Sequence, residues 1–200
     1  MTRTTHNAFF YGTLMAPEVL YRVCFGTATP PESKTQQLMI QPAILHDFCR
    51  HRVRNCDYPA ILPDAGHTVR GTFVSGLSQS DVWRLDVFEG DEYARKPVTV
   101  KALSKIGDES GEGNIEGEAL EAETYIWIAG EDKLEKREWD FGEFRKEKLS
   151  RWAGSSKEYQ DVDEAVRAQG TDPTGGRGLD GHITQQLNEE AAKDILGSAV

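Results

Sequence analysis

The stretch Ala8-Phe9-Phe10-Tyr11-Gly12-Thr13-Leu14-Met15-Ala16-Pro17 decides how this chain is to be read. Apolar, mostly aromatic residues run into a glycine, the pattern of a strand stopped by a turn. Pro17 suits a first helical position, where its missing N–H costs nothing; Leu20, Val23 and Cys24 then keep one apolar face, and Gly26 supplies a stop. A strand end, a glycine turn and a helix start in so short a stretch can aim the backbone N–H groups of Gly12 to Leu14 at a carboxylate or an oxyanion.

Outward from this stretch, residues Leu38 to Leu62 are rich in Ile, Leu, Val, Phe and Tyr but interrupted by Pro42 and Pro59, which predicts bent or edge strands. Pro63-Asp64-Ala65-Gly66 reads as a turn separating them from a further strand over Thr68 to Val74. Ser80 is expected to cap a short helix from Asp81 to Phe88, with Val82, Leu85 and Phe88 as its apolar stripe and Gly90 as its end. Pro97 to Val100 and Thr124 to Ala129 are strand-like, and the Gly-rich, acidic run Gly107 to Glu121 between them suits a solvated hairpin loop. Trp139, Phe141, Phe144 and Leu149 predict an amphipathic helix ending near Gly154. Gly170 to Leu179 lacks periodicity, and Gln185 to Ile195 suits a short helix. The expectation is an α+β fold, helices beside a small curled sheet, over residues 8–154. Residues 155–200 are expected to form a C-terminal extension, partly disordered or helical, without which the domain folds.

Acidic residues number 33 against 23 basic ones, a net charge of -10. That balance argues against nucleic acid, whose binding surfaces are basic. No apolar run has the length of a membrane span and the N-terminus lacks a signal-peptide core, so the sequence predicts a cytoplasmic protein with no membrane partner. Cys24, Cys49 and Cys56 are an odd number and no Asn-x-Ser/Thr acceptor occurs, which reads as free thiols. His46, Cys49, His51 and Cys56 lack the usual zinc-ligand spacings, so no metal is expected. Arg50, Arg52 and Arg54 alternate and read as a solvated strand face.

A second chemistry-bearing segment is Leu85-Asp86-Val87-Phe88-Glu89-Gly90-Asp91-Glu92-Tyr93-Ala94-Arg95. An acid beside Phe88 at a helix end, near Tyr93 and Arg95, can have its carboxyl pKa raised into the range of a proton carrier. Asp86, Asp91 and Glu92 read as solvated surface acids. With Phe10-Tyr11-Gly12-Thr13-Leu14, Tyr58-Pro59-Ala60-Ile61, Tyr125-Ile126-Trp127 and Trp139-Asp140-Phe141, this segment makes the chain resemble the AIG2-like branch of the gamma-glutamylcyclotransferases over residues 8 to about 152.

The resemblance implies a small mixed β-barrel with flanking helices, a small-molecule gamma-glutamyl substrate and no cofactor. It implies Glu89 as the catalytic carboxylate. The substrate is expected on Tyr11, Gly12, Thr13 and Leu14, continuing to Met15 and Ala16, with Tyr58, Tyr93 and Arg95 beside the pocket. The implied reaction is ring closure: the substrate's α-amine attacks its own γ-carbonyl, forms 5-oxoproline and expels the amine. One carboxyl can take the proton and return it. Two other readings stay open, a non-catalytic binding module of the same fold and an enzyme acting on another amide or ester.

Overall fold

The computed structural model describes residues 5–108, 111–154 and 157–168. Five strands, β1 (His6–Phe10), β2 (Met39–Arg52), β3 (Pro59–Leu77), β4 (Tyr93–Lys105) and β5 (Ile115–Trp127), close into a barrel in the order β1-β3-β2-β4-β5. Neighbours run antiparallel except at the closure, where β5 meets β1 in parallel with Ala8 opposite Glu123. Helices α1 (Pro17–Phe25), α2 (Glu32–Thr35), α3 (Gln79–Glu89), α4 (Phe141–Glu147), α5 (Leu149–Gly154) and α6 (Gln160–Ala168) complete the α+β architecture.

Strand alternation splits the first apolar run between two cores. Phe9 and Tyr11 turn inward with Ala43, Leu45, Ile61, Val69, Phe73, Val100 and Ala122, which fill the barrel. Ala8 and Phe10 turn outward, where Val19, Leu20 and Val23 of α1 and Val82 and Leu85 of α3 cover them. The filling is tight at Gly71. A Cβ there would lie 2.2 Å from the Phe10 carbonyl oxygen and 2.7 Å from the Phe9 ring, so no larger residue fits.

Four local expectations are corrected, the first being the loop over Gly107 to Glu121, which is shorter than expected because β5 already begins at Ile115. Pro63 to Gly66 does not end a strand; β3 runs through it. His46 pairs with Thr68 and Phe48 with Pro63, so residues 64–67 bulge out opposite Asp47. Asp47 and Gly66 both take positive φ, and the Asp47 carboxylate accepts the Gly66 amide at 3.0 Å. The turn chemistry is real, but the barrel ladder on either side keeps the chain in one strand. Helix α3 is capped by Ser78 rather than Ser80: the Ser78 hydroxyl accepts the Asp81 amide while the Asp81 carboxylate accepts the Ser78 amide at 2.8 Å. This reciprocal pair satisfies two groups where Ser80 would satisfy one. The amphipathic segment after Trp139 forms two helices, α4 and α5, separated at Lys148.

The boundary expected near Gly154 falls inside the packed body. Tyr159 is fully buried and stacks on Phe88 with ring centroids 5.9 Å apart. Val162 and Ala165 of α6 pack against Trp83 and Val87 of α3, and Arg22 of α1 holds Asp163 through two bonds of 2.9 and 2.6 Å. The apolar faces of Phe88, Trp83 and Val87 need a cover, and α6 is that cover. The expectations for Gly170 to Leu179 and Gln185 to Ile195 lie outside the described residues.

Candidate active site

Strand β1 ends by delivering Tyr11 to the barrel mouth, and a single 3-10 turn, Thr13–Met15, carries the chain over to α1. Glycine is required at position 12, since a Cβ would meet the Pro59 ring at 2.8 Å. Beside this turn a pocket is lined by Phe9, Phe10, Tyr11, Gly12, Thr13, Leu14, Tyr58, Pro59, Phe88, Glu89, Tyr93, Tyr125 and Trp152. Segments far apart in the sequence meet here because the barrel brings the end of β1, the start of β3 and the start of β4 to one rim, where the last turn of α3 joins them.

Three tyrosines define the polar character of the pocket. The Tyr11 hydroxyl donates to the Tyr125 carbonyl at 2.6 Å, Tyr93 to the Pro59 carbonyl at 3.0 Å, and Tyr125 to the Asp86 carboxylate at 3.0 Å. Burial, with the Glu89 charge adding to it, pushes all three hydroxyls well above their ordinary range. They stay protonated with their hydrogens committed, so what their oxygens have left to offer is lone pairs. Such a wall favours N–H donors.

Glu89 ends α3 at this wall. The residue keeps some exposure, but its surroundings strip water from the carboxyl, and this, with the nearby Asp86 charge, moves its pKa from an ordinary 4.5 up to about 8. Asp86 is no solvated surface acid, contrary to the sequence reading. It receives Arg95 Nε at 2.8 Å as well as the Tyr125 hydroxyl, and both Asp86 and Arg95 are less than a fifth exposed.

Of the residues expected at the site, Tyr11, Gly12, Thr13, Leu14, Tyr58, Glu89 and Tyr93 share the pocket, whereas Met15, Ala16 and Arg95 do not line it. Met15 faces a separate cleft with Arg50, Arg70 and Trp139. Ala16 is buried in the helix-side core, its carbonyl accepting the amides of Val19 and Leu20. Arg95 sits behind the wall, bridging Asp86 and Glu123. Phe9, Phe10, Pro59, Phe88, Tyr125 and Trp152 also line the pocket although the sequence reading does not name them as site residues; the placing of Phe88 beside Glu89 and the motif Tyr125-Ile126-Trp127 are the signals that point to two of them.

Arg50 is also misplaced by the sequence reading as a solvated residue. Leu45 points into the barrel, the Asp47 bulge shifts the alternation by one, and Phe48 then packs against the barrel core. Arg50 follows it inward, with a side chain 12 % exposed, and donates to the Tyr11 carbonyl at 3.0 Å and to Glu138 at 3.1 Å. Among the described residues, no three His, Cys, Asp or Glu side chains are grouped as metal ligands, and no helix is long and apolar enough to cross a membrane.

Comparison with known proteins bears on the family and the fold. Residues 8–145 match the model of the family described as "Gamma-glutamyl cyclotransferase, AIG2-like". AIG2-like protein C of Arabidopsis thaliana is 32% identical over 78% of this chain and 79% of its own length, and Protein AIG2 C of the same plant is 29% identical over 70% and 73%. A solution structure of another Arabidopsis thaliana protein superposes with a TM-score of 0.50 at 23% identity, covering 88% of this chain and 90% of its own, which speaks for the fold. This chain is a member of the AIG2-like gamma-glutamyl cyclotransferase family.

Proposed function

We propose that the protein is a gamma-glutamylcyclotransferase that releases 5-oxoproline from a gamma-glutamyl amine or peptide, with Glu89 carrying the proton. The observation that supports this best is Glu89 itself: a carboxyl moved up to about 8 titrates near the pH at which it works, so it both accepts and returns a proton readily.

The substrate's α-amine, once deprotonated by Glu89, attacks the γ-carbonyl carbon. A C–N bond closes the five-membered ring and the carbonyl oxygen takes the negative charge. As the carbonyl re-forms, the bond to the leaving amine breaks; Glu89 returns its proton to that nitrogen and the ring nitrogen gives up to the leaving amine the extra proton left by the attack, so that a neutral lactam and an ammonium ion result. The acceptor oxygens of Tyr11, Tyr93 and Tyr125 suit the N–H groups of both amines. The turn at Gly12 to Leu14 suits the substrate carboxylate or the oxyanion, because the first amides of a helical turn have no acceptor within that turn. Holding a flexible glutamyl chain in its ring-closing shape removes an entropic part of the barrier.

The direct test is to incubate the purified chain with gamma-glutamyl amino acids, gamma-glutamyl amines and glutathione and to measure 5-oxoproline. Release from at least one class, abolished in Glu89→Gln, is expected. No release from any of them refutes the proposal.

A further inference from the structure

Trp152 is part of the pocket wall although it lies beyond residue 145, where the match to the family ends. Its ring is held edge-on to Phe144 at 5.7 Å and to Phe88 at 6.4 Å, and Phe88 is backed in turn by Tyr159. Trp152 is 2% exposed, yet its indole N–H has no hydrogen-bond partner among the described residues. A buried donor without an acceptor is costly, because it loses its hydrogen bond to water and gains none in return, and it calls for an explanation. Two of the other three tryptophans show the usual solution: Trp127 donates to the Gly130 carbonyl and Trp139 to the Asp57 carbonyl, both at 2.7 Å. Trp83 also lacks an acceptor, but it packs against α6 away from the pocket.

We infer that Trp152 is a substrate-contacting residue, whose indole N–H donates to a carbonyl or carboxylate oxygen of the ligand in the Glu89 pocket. The inference rests on the proposed gamma-glutamyl substrate. The pocket's other side chains make such a donor useful: the hydroxyl hydrogens of Tyr11, Tyr93 and Tyr125 are committed elsewhere, while a gamma-glutamyl compound brings oxygen acceptors as well as amines. The segment after residue 145 thereby supplies one wall of the site as well as a cover for the helices.

The test follows the indole resonances of the full-length, 15N-labelled protein, assigned through single Trp→Phe variants, during titration with L-5-oxoproline and a gamma-glutamyl amine. The Trp152 indole proton is expected to move downfield while those of Trp127 and Trp139 stay in place. In parallel, Trp152→Phe is expected to lose roughly tenfold in kcat/KM, the scale of one hydrogen bond, whereas Trp83→Phe, which removes an indole with no acceptor away from the pocket, serves as a packing control without that loss. Movement of the Gly12 to Leu14 amides without movement of the Trp152 indole overturns the inference alone, and so does equal activity of Trp152→Phe and Trp83→Phe. If neither the loop amides nor the indole respond to any of the ligands, the gamma-glutamyl reading and this inference both fall.

Discussion

The Tyr125 hydroxyl donates to the Asp86 carboxylate at 3.0 Å, and the same carboxylate oxygen accepts Arg95 Nε at 2.8 Å. One acid, one turn before Glu89 on α3, thus fixes a pocket tyrosine and adds its charge to the environment of the proposed proton carrier. Asp86→Asn keeps the shape and removes the charge. Because burial contributes more than Asp86 to the raised Glu89 pKa, the Glu89 limb of the pH–rate profile should move to lower pH yet stay well above the ordinary carboxylate range. The loss of a half-buried ion pair should cost about 1–3 kcal/mol, read by urea unfolding. An unmoved limb would show that the Asp86 charge does not reach Glu89.

Glu89→Gln is expected to lower turnover by roughly 100-fold or more, the scale of general acid–base contributions. The same variant makes a stability prediction with a definite sign. A carboxyl whose folded pKa is raised from 4.5 to about 8 is bound more tightly to its proton in the native state. Its contribution to stability is full below the unfolded value and is lost as pH rises through about 8. Glutamine carries no such penalty. The Tm of Glu89→Gln relative to the parent should therefore rise from pH 5 to about pH 8, by an amount worth a few kcal/mol, and level off above it. A difference that stays flat across that range would place Glu89 in water and remove the argument for its role.

A chain ended after Gly154 should be less stable. It loses fully buried Tyr159, Val162 at 1% exposure, and the Arg22–Asp163 ion pair, and it uncovers Phe88 and Trp83. Burial of the two larger side chains alone corresponds to about 3–6 kcal/mol. Thermal unfolding followed by circular dichroism measures this. An unchanged Tm would restore the shorter boundary read from the sequence.

How far the site was legible depends on how local each signal is. Tyr11 to Leu14 and Glu89 announce themselves within short segments, because a strand end before a glycine and an acid at a helix end are properties of neighbouring residues. Tyr125 and Asp86 lie 39 positions apart, and nothing in either segment says that the barrel pairs them. Arg50 was misread for a different reason. Alternation along β2 was followed correctly, but the bulge at Asp47 reverses it, and the bulge depends on the paired strand rather than on β2 alone. Ser78 and Ser80 are both good caps in isolation; the decision rests on Asp81, which returns a hydrogen bond to the Ser78 amide and so favours the earlier serine. Trp152 lies in a segment that reads as amphipathic, but nothing local says that it meets Phe88 at the pocket; Tyr159, Val162 and Ala165 share a helical spacing whose partner, α3, is remote in sequence.

The proposed chemistry makes its sharpest prediction about the substrate rather than the protein. If the α-amine is the nucleophile, an N-acetylated gamma-glutamyl compound should be inert at any concentration, since its nitrogen lone pair is tied up in an amide. An α-linked glutamyl peptide should fail too, because its α-amine and scissile carbonyl cannot close a five-membered ring. Neither failure depends on how tightly the analogue binds. A hydrolase using water at the same Glu89 would tolerate acetylation in part and would release glutamate or acetylglutamate. The two mechanisms therefore differ in product, and a matched pair of free and acetylated substrates, assayed for 5-oxoproline and glutamate by mass spectrometry, separates them. The expected result is 5-oxoproline from the free compound and no product from the acetylated one. Turnover of the acetylated compound, or glutamate as the main product, would replace ring closure by hydrolysis while leaving the barrel, the family and the placement of Glu89 as they stand.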